Sequence, residues 1–233
     1  MDALVLILLF AAIILSVAAQ IKVKGTFRRY SGVPNRLGIT GAAAARRLLA
    51  ANGVRDVRVE PIHGTLTDHY DPKARVVRLS EGVYDSASLS ALGVAAHETG
   101  HALQHAEGYF PLTARGAIFP VVSFGSKLAF PLIFIGFIIT SLSGVMGRYG
   151  IALVYIGIIM YAAVVAFQVI TLPVEFNASA RAIALLEDDR VLSPDEIPGA
   201  RKVLFAAALT YVAAAAVALL QLLRLILAAR RSD

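Results

Sequence analysis

The sequence predicts an α+β fold, mainly α, in a polytopic membrane protein with about four transmembrane helices. Three observations carry that prediction. Apolar residues fill 58% of the 233 positions and charged residues 16%, with a mean hydropathy of +0.70; a soluble domain averages roughly 45–50% and about 25%. Four stretches are long enough to supply the roughly 20 apolar residues that a bilayer crossing requires. The polar remainder combines short alternating segments with well-capped helices. The same composition excludes disorder, and the absence of Cys excludes a disulfide scaffold and thiolate metal sites. The net charge of +6 reads as basic residues flanking membrane spans rather than as a nucleic-acid surface.

The first span runs from Ala3 to about Val23. Val17-Ala18-Ala19 resembles a signal-peptide cleavage site, but Met1-Asp2 supplies no basic n-region and the cations Lys22, Lys24, Arg28 and Arg29 follow the span. This reads as an uncleaved anchor. The second span, Ile118 to Leu142, carries Lys127, which can snorkel or face a bundle interior. The third, Gly150 to Leu172, has no ionisable side chain other than tyrosines, and the loop from Ser143 to Tyr149 makes the two spans a hairpin. The fourth, Val203 to Ala229, contains only Arg224.

Between the first two spans lies a polar block. Thr40 can cap a helix that ends at Gly53. Val54 to Glu60 alternates like a half-buried strand, and Arg75 to Leu79 is a second short strand, preceded by the turn signal Asp71-Pro72-Lys73. A helix from about Ser88 to Ala106 stops near Gly108. After the third span, Glu175 to Glu187 is helical in pattern, and Ser193-Pro194-Asp195-Glu196 forms a capping box with Pro at the first helical position, leading into the fourth span.

The Ser88–Ala106 helix carries His97-Glu98-Thr99-Gly100-His101. Histidines at i and i+4 project from one helix face and can grip one metal ion, while the intervening glutamate lies beside the open coordination position, where it can take a proton from water. Burying two histidines and a glutamate without partners would be costly, which favours the metal reading. A further protein ligand is needed, and His105, His63, His69, Asp68, Asp71 and Glu175 are the candidates. His105 lies about 12 Å from His97 along an unbroken helix, too far to share the ion, so it reads as a supporting or solvated residue. Glu175 follows Pro173 at the end of the third span, and the hairpin returns it to the membrane face of the HExxH helix. A carboxylate beside two histidines is a common catalytic zinc set.

Three separated motifs now carry a resemblance: His97 to Gln104, Leu66-Thr67-Asp68-His69-Tyr70-Asp71-Pro72, and Pro173-Val174-Glu175-Phe176-Asn177-Ala178-Ser179. Together they resemble the YugP-type family of membrane zinc metallopeptidases over nearly the whole chain. The resemblance implies a small zincin-like, gluzincin-type catalytic domain holding one Zn2+ through His97, His101 and Glu175, with Glu98 as the catalytic residue. More remotely, the chain is similar to HtpX-like and CAAX-type membrane proteases. Those have an aspartate four residues after the ligand glutamate, where this chain has Ser179; either Asn177 or Ser179 is then the candidate for orienting a ligand histidine.

The division that follows is an anchor at 1–23, a catalytic HExxH domain at 24–116, a membrane hairpin at 117–172, a third-ligand segment at 173–202 and a last span with basic C-terminus at 203–233. His69 or Tyr70 could donate to a tetrahedral oxyanion, Arg75 to Leu79 could be an edge strand that pairs with an extended substrate, and Arg181 could meet Glu175 or a substrate carboxylate. Each is equally readable as ordinary surface or turn chemistry. The expected function is an integral-membrane zinc endopeptidase acting on protein or peptide substrates near the bilayer surface, with a Glu general base. The alternative is a non-catalytic zinc-binding membrane adaptor, which Glu98 disfavours because a structural site needs no base. Cations near the span ends (Lys22, Lys24, Arg28, Arg29, Arg115, Arg201 and Lys202 against Arg148, Arg230 and Arg231) place the catalytic face in the cytoplasm of a prokaryote's plasma membrane.

Overall fold

The structure, a computed structural model, describes residues 3–142 and 145–231. It is mainly helical with one small sheet. The elements run α1 Ala3–Ser31, α2 Gly41–Ala51, β1 Arg58–Ile62, β2 His69–Asp71, β3 Val76–Ser80, α3 Glu81–Tyr84, α4 Leu89–Ala106, α5 Phe110–Thr140, α6 Val145–Asp188 and α7 Ile197–Ala229. Helices α1, α5, α6 and α7 are each long and apolar enough to cross a membrane. The chain divides into two compact units.

The first unit comprises residues up to Val17, Ala114–Leu172 and the chain from Tyr211 onward. Here α5 and α6 are an antiparallel pair in close contact. A Cβ added at Gly157 would meet the Ala129 carbonyl oxygen at 2.7 Å, and one at Gly136 would meet the Gly150 carbonyl oxygen at 2.8 Å. Small residues let the two backbones approach where lipid offers no hydrophobic drive to helix association. Ala129, Ile133, Val154, Ile158, Ala218 and Leu225 form the core of this unit. Leu4, Ile7, Phe10, Phe134 and Ile159 are exposed, as is Lys127. Apolar side chains facing outward in such numbers are what a lipid-facing surface requires. The helix α6 already begins at Val145, so most of the loop expected between the spans is helical; Ser143 and Gly144 lie outside the described residues.

The second unit holds Ala18–Thr113 and Pro173–Thr210. Its sheet has the order β1-β3-β2, with β1 parallel and β2 antiparallel to β3. The strand expected from Val54 begins only at Arg58. Val54 is used instead to close α2, its N–H donating to the Leu49 carbonyl 2.9 Å away, beside Gly53 at φ +76°. The Arg75–Leu79 segment is the central strand, paired on both sides, so it cannot be the edge that receives a substrate strand. The edges are β1 and β2. Asp71 Oδ1 accepts from the Lys73 and Ala74 N–H groups, 3.0 Å each, and so makes the β2–β3 turn.

Thr40 caps α2 through the Ala43 N–H, and Ser88 caps α4 through the Ala91 N–H. Gly108, at φ +66°, follows the end of α4. The capping residues before α7 behave differently from expectation. Glu196 does reach back to the Ser193 N–H, 2.9 Å, but the Ser193 hydroxyl also turns to this carboxylate, 2.7 Å. Pro194 therefore lies in a turn, and α7 starts at Ile197. Leu48, Val77, Leu79, Leu92, Leu186 and Val191 are among the fully buried residues that pack α2, the sheet, α4 and the end of α6 into one core.

Candidate metal centre

The site forms where α4 meets the last four turns of α6. The third span and the expected separate helix after it are one continuous helix; Pro173 lies inside it. Proline removes one backbone donor, a loss that membrane helices tolerate because neighbouring groups satisfy the freed carbonyl. Continuity fixes the rotation of Glu175, Ser179 and Ala182 together on the face toward α4. Contact there is tight: a Cβ on Gly100 would lie 2.8 Å from the Ala178 carbonyl oxygen. Glycine at the fourth position of HETGH is what lets the two helices approach this closely.

At the crossing, Glu175 Oε2 lies 3.3 Å from His97 Nε2 and 3.6 Å from His101 Nε2. The ligand atoms of these three residues all lie within 4.8 Å of one another, as required to hold a metal ion. Ligands about 2.1 Å from a tetrahedral metal are separated by about 3.4 Å, so the carboxylate-to-imidazole distances fit. Glu175 is 3% exposed, and two imidazoles beside a buried carboxylate make a donor set that suits a divalent metal ion. Glu98 is also buried. Burial works against a charged His101 imidazole, yet the hydrogen bond to Glu175 and the negative charge of Glu98 and Glu175 outweigh it and raise the His101 pKa above its ordinary value. The local field thus attracts positive charge.

The far side of each imidazole is anchored. Gln104, fully buried, donates from Nε2 to the Val174 carbonyl, 2.9 Å, and to Asn177 Oδ1, 2.8 Å. Its Oε1 must then face His101 Nδ1, 3.0 Å away, and an acceptor at Nδ1 requires the proton there. With Nδ1 held by Gln104, Nε2 is the nitrogen that faces Glu175 and the one that would bind a metal ion. His97 Nδ1 meets the Ser179 hydroxyl at 3.2 Å. The two imidazoles stand edge to face, centroids 4.7 Å apart. Gln104 lies three residues after His101 on the same helix face, and its role follows from partners on α6 that are 70 and 73 positions away.

The other candidates lie elsewhere. His105 Nδ1 is 2.8 Å from the Tyr70 hydroxyl. His69 is bonded to the Thr67 carbonyl through Nδ1, with Arg78 at its other nitrogen. His63 pairs with Glu81, Asp68 accepts from Ser80, and Asp71 pairs with Arg78. Arg181 meets neither Glu175 nor open solvent alone. It forms a two-pronged pair with Glu107, both contacts 2.7 Å, and its Nε donates to Asn177 Oδ1, 2.8 Å. Asn177 therefore joins Arg181 to Gln104.

A family model described as "Putative neutral zinc metallopeptidase" matches residues 5–230. The chain is 52% identical over 224 residues to "Putative membrane protease YugP" of Bacillus subtilis (strain 168), covering 96% of each chain. No solved structure matches the chain. A match from near the first residue to near the last, with a relative sharing half of all positions, leaves one conclusion: this chain belongs to the family described as "Putative neutral zinc metallopeptidase".

Proposed function

We propose that the protein is an integral-membrane zinc endopeptidase in which His97, His101 and Glu175 hold one Zn2+ and Glu98 is the general base. The observation that carries this reading is the convergence of two imidazole Nε2 atoms and one buried carboxylate oxygen at the α4–α6 crossing, on a helix whose Glu98 is also buried. Zinc, when bound, supplies Lewis acidity toward a scissile carbonyl and toward water. Glu98 takes the proton of the attacking water and later delivers it to the leaving amine nitrogen, breaking the peptide C–N bond. Gln104 and Ser179 hold the two imidazoles at their Nδ1 atoms, so each presents Nε2 without reorientation. The 24–116 and 173–202 segments form the catalytic part, and the four apolar spans anchor it so that substrates are met at the membrane surface. The distribution of cations supports a cytoplasmic catalytic face in the plasma membrane of a prokaryote.

Glu98→Gln should lower hydrolysis of a fluorescent unfolded-protein substrate by at least about 10²- to 10⁴-fold, the usual contribution of a general acid–base, with zinc content per chain unchanged. Retained activity would remove Glu98 from the chemistry, and loss of zinc would make it a ligand. Comparing membrane proteomes containing active and Glu98→Gln protein identifies the substrates.

A further inference from the structure

The second unit has another concave feature, formed by the charged end of α1 and the first turns of α7. This cavity of about 450 Å³ is lined by Lys22, Arg29, Arg201 and Lys202. Lys22, Thr26, Arg29 and Tyr30 share one face of α1 by helical spacing. All four cations are exposed, and no acidic residue lines the cavity. Neither 18–31 nor 197–210 contains Asp or Glu. Among the described residues, the ion pairs of this protein involve none of the four. Four like charges around one concavity without a counter-charge repel one another and favour an anion between them.

The surroundings specify which anion. Lys22 Nζ lies 5.6 Å from the centre of the Phe205 ring, so the charged borders of the two helices coincide in space. On α1 no residue from Ala3 to Ile21 is charged, and on α7 none from Val203 to Leu223. Phe205, which lines the cavity, stands near the start of the α7 stretch and is 56% exposed. A ligand filling this place is anionic at one end and apolar at the other. We propose that the cavity binds the phosphate of an anionic phospholipid. Lys22, Arg29, Arg201 and Lys202 neutralise it, the Thr26 hydroxyl is available as a donor, and the acyl chains lie toward Phe205. Basic pockets at helix borders recognise phospholipid headgroups in this manner. Free phosphate would use the cations but leave the apolar rim without a partner.

The test uses the full chain in nanodiscs of equimolar phosphatidylglycerol and phosphatidylcholine, with native mass spectrometry counting the phosphatidylglycerol that stays bound on transfer to neutral detergent. Wild type should retain it. Each single neutralisation, Arg29→Gln or Arg201→Gln, should weaken retention about fivefold, and Lys22→Gln/Arg29→Gln/Arg201→Gln/Lys202→Gln should abolish it. The singles carry the test if the fourfold variant does not fold. Lys24→Gln/Arg28→Gln, which removes two exposed cations of α1 outside the cavity, should leave retention unchanged. Equal loss in that variant would mean diffuse surface charge, and full retention in the cavity variants would mean no site. Displacement of the lipid by excess inorganic phosphate would make the site one for a soluble anion. Any of these three results overturns the proposal.

Discussion

His97 and His101 lie one turn apart on α4 and face the same carboxylate, yet their surroundings differ. Behind His101 stands Gln104, fully buried and fastened by two hydrogen bonds to α6. Behind His97, among the described residues, stands the Ser179 hydroxyl at 3.2 Å, which can donate or accept. The His101 end is a buried network in which Gln104 Oε1 holds Nδ1 as a donor. The His97 end is adjustable. In the proposed zinc site one histidine is held rigidly while the other can yield.

The largest effect that breaks this comparison is removal of the shared carboxylate. Glu175→Ala should abolish stoichiometric zinc, as should His97→Ala and His101→Ala, whereas His105→Ala should keep the metal and lose only about 1 kcal/mol with the Tyr70 bond. Zinc per chain by mass spectrometry decides it; a metal-free His105→Ala beside a zinc-loaded Glu175→Ala would overturn the ligand assignment. Next comes the asymmetry itself. Gln104→Leu should weaken zinc binding about 10- to 100-fold, and Ser179→Ala should lie at or below the lower end of that range, read by competition with a chelator. Equal effects would mean that the two ends are held alike. The smallest effect concerns the rim. The Arg181 guanidinium holds the Glu107 carboxyl below its ordinary pKa, so its contribution is present above the ordinary carboxylate range and is lost as pH falls through the lowered value. Glu107→Gln should therefore cost well under about 1 kcal/mol near neutral pH and nothing in acid, measured as paired thermal midpoints.

Local rules made much of this molecule readable. Ser88, the apolar run after it and Gly108 delimit α4, and the i, i+4 spacing alone puts His97 and His101 on one face. Thr40 and Gly53 likewise bracket α2. Non-local effects were not readable. Only a partner across the sheet makes His69–Asp71 a strand, since three residues show no periodicity. Val54 reads as a strand residue until it is needed to close α2. Pro173 reads as a helix end, although the helix continues through it, as α5 does through Pro120 and Pro131. Gln104 is silent for the same reason: its two acceptors, Val174 and Asn177, are 70 and 73 positions away. Arg181 finds Glu107 at a separation of 74.

The sequence distance across the α4–α6 crossing also bears on how the protein is made. His97 and Glu175 are 78 positions apart, and α5 and most of α6 emerge from the ribosome between them. A nascent chain already displaying HETGH has no carboxylate at this position until the helical pair α5–α6 has been synthesised. In the proposed site, proteolytic competence therefore arrives late in translation. An enzyme arrested or truncated before Pro173 is born harmless to its neighbours, with chain order acting as a safety catch.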